Sequence, residues 1–233
     1  MRKQEGYTLV EVVVSIAVGL VIIAAIYAAV NMAQRSSVNV ERKTAAHQDA
    51  RASLEVMELE IQMASYNPTY APNIWRVPGT CAGASGNQGY RGIQAATDSS
   101  ITVEADISGG GGDGDGVVGG SPNEIITYTF DAANQYITRS TNCGGGQPFL
   151  GDDPASGRPR STRVINTAAV PVFRYFDAQG SEIAAAALPA GIPNIARIDI
   201  TLWVETEDID VNSGQRRRMI YSTSVIPRNH VIQ

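Results

Sequence analysis

The sequence predicts an α+β chain, in which one long N-terminal α-helix spans a membrane over its first half and packs an antiparallel β-sheet head over its second. Three observations carry this expectation. Tyr7 to Val30 is apolar save for Glu11, residues 46 to 64 repeat apolar positions at helical steps, and residues 198 to 225 alternate in the manner of paired strands.

The apolar run comes first. About 19 apolar or small residues follow Glu11, the length a bilayer-spanning helix requires. A carboxylate at a helix centre in hydrocarbon costs on the order of 2.5–3.5 kcal/mol by insertion scales, so Glu11 requires a partner. No Lys or Arg lies within a helical turn or two of it. The candidates are therefore the lipid interface, another chain, or an amine made by cutting the leader. Arg2 and Lys3 stay on the cytoplasmic side by the positive-inside rule, which places the rest of the chain across the membrane. A cleaved secretory signal is the rival reading, with Ala24-Ala25 or Ala28-Ala29 as the cut. Against it, the basic leader is short, the apolar run exceeds the roughly 7–15 residues of a signal core, and the helical pattern continues past both sites.

Beyond Val30 the pattern becomes one-sided. Ala46, Ala50, Leu54, Met57, Ile61 and Ala64 recur at steps of three and four, while Arg51, Glu55, Glu58, Gln62 and Ser65 fall on another face. Only Gly19 interrupts Thr8 to Tyr66, so a single helix of roughly 58 residues is expected, about 85–90 Å long and ended by Asn67-Pro68. A coiled-coil seam is the alternative use of the stripe. Small residues at 46 and 50 with large ones at 54, 57 and 61 favour a sheet instead.

Residues 69 to 123 read as loop, with one strand candidate at Ser100 to Ala105. Within it Gly109 to Gly120 carries Asp113 and Asp115, and Asp98 and Asp106 lie upstream. Clustered carboxylates on a bendable backbone are calcium ligands in principle. No EF-hand spacing is present, so the default is a mobile surface loop and no metal site is assigned. Glu124 to Phe130 and Tyr136 to Ser140 read as a hairpin, and Val170 to Phe176 as a strand. Ile198, Ile200, Leu202 and Val204 alternate with polar neighbours and are answered by Met219, Tyr221, Thr223 and Val225 after a turn through Asn212-Ser213-Gly214.

Charge and histidine usage narrow the function classes. The formal charge is −5 over 233 residues and is spread along the chain. Nucleic-acid binding needs a basic face, and the one dense run, Arg216-Arg217-Arg218, is expected at a solvated hairpin tip. The two histidines, His47 on the extended helix and His230 near the C-terminus, have no suggestive company for a nucleophile. No catalytic or cofactor-binding residue is therefore assigned, and the chain is expected not to be an enzyme. Cys81 and Cys143 are the only cysteines, and the topology places both on the oxidising side. A disulfide between them is expected, closing a loop of about 60 residues worth about 4 kcal/mol in the chain-entropy model.

Gly6-Tyr7-Thr8-Leu9-Val10-Glu11 resembles the type III signal of the type IV pilin superfamily, a glycine followed by F-T-L-I-E ahead of an apolar helix. Tyr7 stands for the usual Phe and Val10 for the usual Ile. The resemblance implies cleavage by prepilin peptidase between Gly6 and Tyr7, N-methylation of Tyr7, and pairing of Glu11 with the N-terminal amine of a neighbouring subunit. Glu60-Ile61-Gln62-Met63-Ala64-Ser65-Tyr66-Asn67-Pro68 is similar to the D/E-I-R-x-A-G-Y-x-P helix end of PilW-type minor pilins, with Gln62 in place of Arg and Ser65 in place of Gly. Thr223 to Asn229 resembles the same group's closing strand and R-N ending. J-type pseudopilins of type II secretion share this outline. The implied organisation is a leader over 1–6, a transmembrane segment over 7–30, a periplasmic amphipathic continuation over 31–67 and a β-rich head over 68–233 with a Gly-rich loop at 109–120. The implied partners are other pilins and minor pilins, prepilin peptidase, and the inner membrane before assembly, with the head periplasmic and then in a pilus fibre. The implied role is a minor pilin active in pilus initiation near the tip. The alternatives are a type II secretion pseudopilin and a membrane-anchored periplasmic binding module.

Overall fold

The computed structural model describes residues 6–77, 88–107, 114–157, 160–210 and 213–231. The chain adopts the expected pilin-like α+β arrangement. Helix α1 runs unbroken over Leu9–Gln62, 54 residues, or about 80 Å at 1.5 Å per residue. It ends four residues short of the expected Tyr66. Ser65 takes a left-handed backbone, φ 66°, and its N–H donates to the Glu104 carbonyl at 2.9 Å. A left-handed residue ends a helix and favours glycine, which is the residue that the resembled pattern carries at this point. Asn67-Pro68 lies beyond a helix already finished.

The expected stripe is the buried one. Ala46, Ala50, Met57, Ile61 and Ala64 are fully sealed and Leu54 nearly so. Ser65, placed on the polar face by periodicity, is buried instead. The cause is the same turn, which swings it out of the helical register and under the head.

The head contains two antiparallel sheets rather than one. The first is a meander of β1 (Ile93–Ala96), β2 (Ser100–Glu104), β3 (Ile125–Asp131), β4 (Tyr136–Thr141) and β5 (Gln147–Leu150). The second is built on β8 (Arg197–Thr206), which pairs with β9 (Arg218–Val225) along one edge. Its other edge is shared by β6 (Thr162–Val164) and β7 (Phe173–Phe176). The β8–β9 register is the expected one, with Ile198 opposite Val225, Ile200 opposite Thr223, Leu202 opposite Tyr221 and Val204 opposite Met219. The four apolar β8 residues are wholly buried. They join Leu54, Met57 and Ile61 of α1 and Ile101, Tyr128 and Ile137 of the meander in one core.

β1, β5 and β6 went unmarked in the sequence because each is three or four residues long with no clean alternation. β7 starts at Phe173 rather than Val170. Val170 closes a tight turn with Thr167, and Pro171 has no N–H to give a ladder. A second, smaller core of Ile74, Trp75, Val118 and Ile125 lies beneath residues 114–123. The expected surface loop is thus pinned at Val118, which is fully buried. Helix α2 (Leu188–Gly191) and the terminal helix α3 (Arg228–Val231) bring the C-terminus back to the end of α1.

Candidate functional site: the unpartnered half of the N-terminal helix

The first half of α1 is apolar, and none of its residues is buried against the described part of the head. Leu9, Val13, Ile16, Leu20, Ile23, Ile26 and Tyr27 are all exposed, on a segment long and apolar enough to cross a membrane. The head begins to engage the helix at Asn39, whose side-chain amide donates to Asp210 at 3.2 Å, and at Arg42, which pairs with Asp208 at 3.1 Å. Ala46 is the first buried residue of α1. A helix apolar on every side and buried on none needs a bilayer or other helices around it. The arrangement supports membrane anchoring.

Glu11 finds a partner that sequence reasoning missed. Thr8 caps the helix and its side-chain oxygen accepts from the Glu11 N–H at 3.3 Å. In return the Glu11 carboxylate accepts from the Thr8 N–H at 2.9 Å and from its hydroxyl at 3.0 Å. This is a capping box, legible as Thr8-x-x-Glu11 immediately before the apolar run. It satisfies the carboxylate's hydrogen bonds, and among the described residues no cation pairs with its charge. Tyr7 and Gly6 lie just ahead of the cap, exposed.

The second half of α1 is bolted to the head by charge. Arg139 on β4 grips Glu60 through two parallel bonds, Nε to Oε2 at 3.0 Å and Nη2 to Oε1 at 2.6 Å. The Tyr128 hydroxyl donates to the same carboxylate. Hydrogen bonding to Glu60 raises the Arg139 pKa. Burial first, and the Glu60 carboxylate second, push the Tyr128 phenol well above its ordinary range. Glu207 accepts from both Arg160 and Arg163. Burial opposes its ionisation, but the two guanidiniums win and lower its pKa.

His230 is not on a solvated tail. It is fully buried, with Nδ1 2.9 Å from the Ser65 hydroxyl and Nε2 2.9 Å from the Ile192 carbonyl. Nε2–H donates to the carbonyl and Nδ1 accepts from Ser65, whose oxygen in turn accepts from the Gly92 N–H at 2.9 Å. Burial lowers the His230 pKa. The serine–histidine contact closes the C-terminus over the end of α1. His47 is exposed, as expected, with Nδ1 2.5 Å from the Tyr221 hydroxyl. The arginine run is less free than expected. Arg217 pairs with Asp210 at 2.7 Å, and Arg218 with Glu205 at 3.3 Å.

Around Ser65 a further acid is buried. Glu104 accepts from the Arg76 N–H at 3.0 Å and from the Gln94 amide at 3.2 Å. Burial nonetheless raises its pKa to about 7. Of the four aspartates of the Gly-rich connection and its approach, Asp106 and Asp115 converge, joined by Glu124. Asp98 sits at the β1–β2 turn, where its carbonyl accepts from Val172 and Phe173, and Asp113 lies outside the described residues. Cys143 is not a free thiol. Cys81, its expected partner, lies outside the described residues, as do Arg2, Lys3 and Asn212.

Residues 1–27 match the family described as the prokaryotic N-terminal methylation motif. No curated protein and no solved structure matches the chain. The match and the apolar helix support membership of the broad type IV pilin and pseudopilin group, and they do not reach a subtype within it.

Proposed function

We propose that the chain is a non-enzymatic minor pilin of the PilW type, made as a membrane-anchored precursor and assembled into a fibre near its tip. One observation carries the reading. The half of α1 inside the matched N-terminal region has no partner among the described residues of the head, while the other half is fastened to it by Glu60, Arg139 and the buried stripe. Such a division suits a subunit that leaves the bilayer and exchanges lipid for neighbouring helices without refolding.

In this reading prepilin peptidase cuts after Gly6 on the cytoplasmic side and Tyr7 becomes the N-methylated first residue. The capping box holds the Glu11 carboxylate at the mouth of the helix, where the amine of an adjacent subunit supplies the missing cation. The head lies in the periplasm, and Cys81 pairs with Cys143 there. The partners are other minor pilins, met helix to helix.

The first test is the intact mass and N-terminal peptide of the protein recovered from its native membrane, non-reduced. A chain beginning at N-methylated Tyr7, lighter by two hydrogens than its reduced form, is the expected result. A chain retaining Arg2 and Lys3, or cut near Ala25, leaves an anchored or secreted binding module. Processing alone also suits a type II secretion pseudopilin. Co-purification with extracellular pili is expected for the minor pilin, and loss of exoprotein secretion on deletion for the pseudopilin. Glu11→Ala is expected to abolish fibre entry while leaving the anchored precursor intact.

A further inference from the structure

The connection from β2 to β3 closes on three carboxylates. Asp106, fully buried, follows β2 and is fixed by its own N–H, which donates to the Tyr66 carbonyl at 2.8 Å. Its Oδ1 accepts from the Asp115 N–H at 3.0 Å and its Oδ2 from the Gly116 N–H at 2.9 Å. A Cβ on Gly114 would lie 2.3 Å from the Asp106 carboxylate, so the returning backbone passes as close as a glycine permits. Glu124 is 1% exposed. Its Oε2 accepts from the Gly119 and Ser121 N–H groups, each at 2.9 Å. Its Oε1 is sealed from solvent and has no hydrogen-bond partner among the described residues.

The carboxylate bearing that bare oxygen faces the other two acids. One oxygen from each of Asp106, Asp115 and Glu124 lies within 4.8 Å of the rest. Among the described residues no Lys, Arg or His forms an ion pair with any of them. The nearby Arg76 donates its Nε to the Val118 carbonyl, and its charge acts on Glu104. Three acids so placed, two of them buried, repel one another, and backbone amides do not neutralise charge. A buried carboxylate oxygen with no donor calls for a cation, a proton or a water, and of these a cation also offsets the charge of the two neighbouring acids.

From this geometry we propose a calcium site formed by Asp106, Asp115 and Glu124. Oxygens held about 2.3–2.6 Å from one Ca²⁺ can be no more than about 5 Å apart, which the observed spread satisfies. The donor set is all oxygen, with no thiolate or imidazole to favour zinc or copper. Asp115 is exposed, leaving that side open to water ligands, and Ca²⁺ accepts flexible oxygen sets where Mg²⁺ demands near-ideal octahedral geometry. The ion ties the returning loop to the end of β2 and clamps the small core of Trp75, Val118 and Ile125. The site does not depend on how the N-terminal helix is used.

The test uses the full chain in detergent, stripped with chelator and titrated with Ca²⁺ while thermal unfolding is followed. Tb³⁺ luminescence sensitised by Trp75 provides the second readout. A rise in Tm saturating at or below about 1 mM Ca²⁺, and Tb³⁺ emission that Ca²⁺ displaces, are expected. Asp115→Asn, at an exposed position, is expected to fold normally and weaken Ca²⁺ binding by about tenfold or more, since ligand charge sets affinity. Glu124→Gln, which keeps an acceptor for Gly119 and Ser121, is expected to abolish binding. No Ca²⁺-dependent shift, a response in Asp115→Asn equal to that of the wild type, or an equal response to Mg²⁺ would each overturn the assignment.

Discussion

At the scale of single residues, buried ionisable groups make the clearest commitments. Glu60 satisfies Arg139 twice and Tyr128 once, so Glu60→Ala strands a guanidinium and a phenol together. Hydrogen bonds to charged groups are worth about 1.5–3 kcal/mol each at best. The pair keeps some solvent contact, so a loss of about 2 kcal/mol is expected in denaturant unfolding. In a double-mutant cycle, Arg139→Ala should cost little more once Glu60 is gone; full additivity would show that the contact carries no energy. His230 and Glu104 act in opposite directions on pH. Burial places the His230 pKa below its ordinary 6.5, so below about pH 6.5 the unfolded chain binds more protons and acid destabilises the fold. Burial lifts Glu104 from 4.5 to about 7, so between those values the native chain binds more protons and stability falls as pH rises. The two slopes partly cancel in the wild type. Glu104→Gln is therefore expected to gain on the wild type from pH 5 to pH 8, by about 3 kcal/mol at most. His230→Gln is expected to flatten the acid limb below pH 6.5. Unfolding followed by tryptophan fluorescence at several pH values checks both, and parallel curves for wild type and variants would refute the assignments.

At the scale of elements, the helix is the most exacting claim. Met57 is fully sealed and Leu59 is 62% exposed two residues later. Met57→Ala is expected to cost about 2–5 kcal/mol, and Leu59→Ala no more than about 0.5 kcal/mol. Similar losses at both positions would mean that the helix presents a different face to the sheets. This stripe was legible in the sequence because residues 46 to 64 sit in one helix packed on one side. The β8–β9 register was legible for the same kind of reason: alternation over eight or ten residues leaves one way to bury Ile198 to Val204. The short strands β1, β5 and β6 were not, since their burial is decided by neighbours rather than by their own pattern. Ser65 and His230 escaped for a related cause. Each is buried by a turn or a chain end folding back, and helical or strand periodicity carries no signal about either. From the sequence Glu124 is only the start of a strand. Its convergence with Asp106 and Asp115 depends on a backbone path through glycine, which composition suggests and spacing does not fix.

At the scale of the whole molecule, the structure divides at a point that sequence hydropathy places only loosely. Among the described residues, those before Asn39 contribute no buried side chain and no hydrogen bond to the head, whereas Asn39 and Arg42 bond to it and Ala46 is buried. A chain beginning at Ser36 should therefore be soluble without detergent and unfold within about 0.5 kcal/mol of the full-length protein, the range of changes that touch no packed feature. A chain beginning at Ala52 loses Asn39, Arg42, Ala46 and Ala50 together and should unfold well below the first. Size-exclusion chromatography and thermal unfolding of the two chains decide the matter. If the longer one aggregates, or melts as early as the shorter, the head leans on the apolar half of α1 and the separation is false. If it holds, the stability of the head is indifferent to what surrounds residues 9 to 35. Lipid can then be exchanged for the helices of neighbouring subunits at no cost to the fold, which any subunit that moves from a bilayer into a fibre requires.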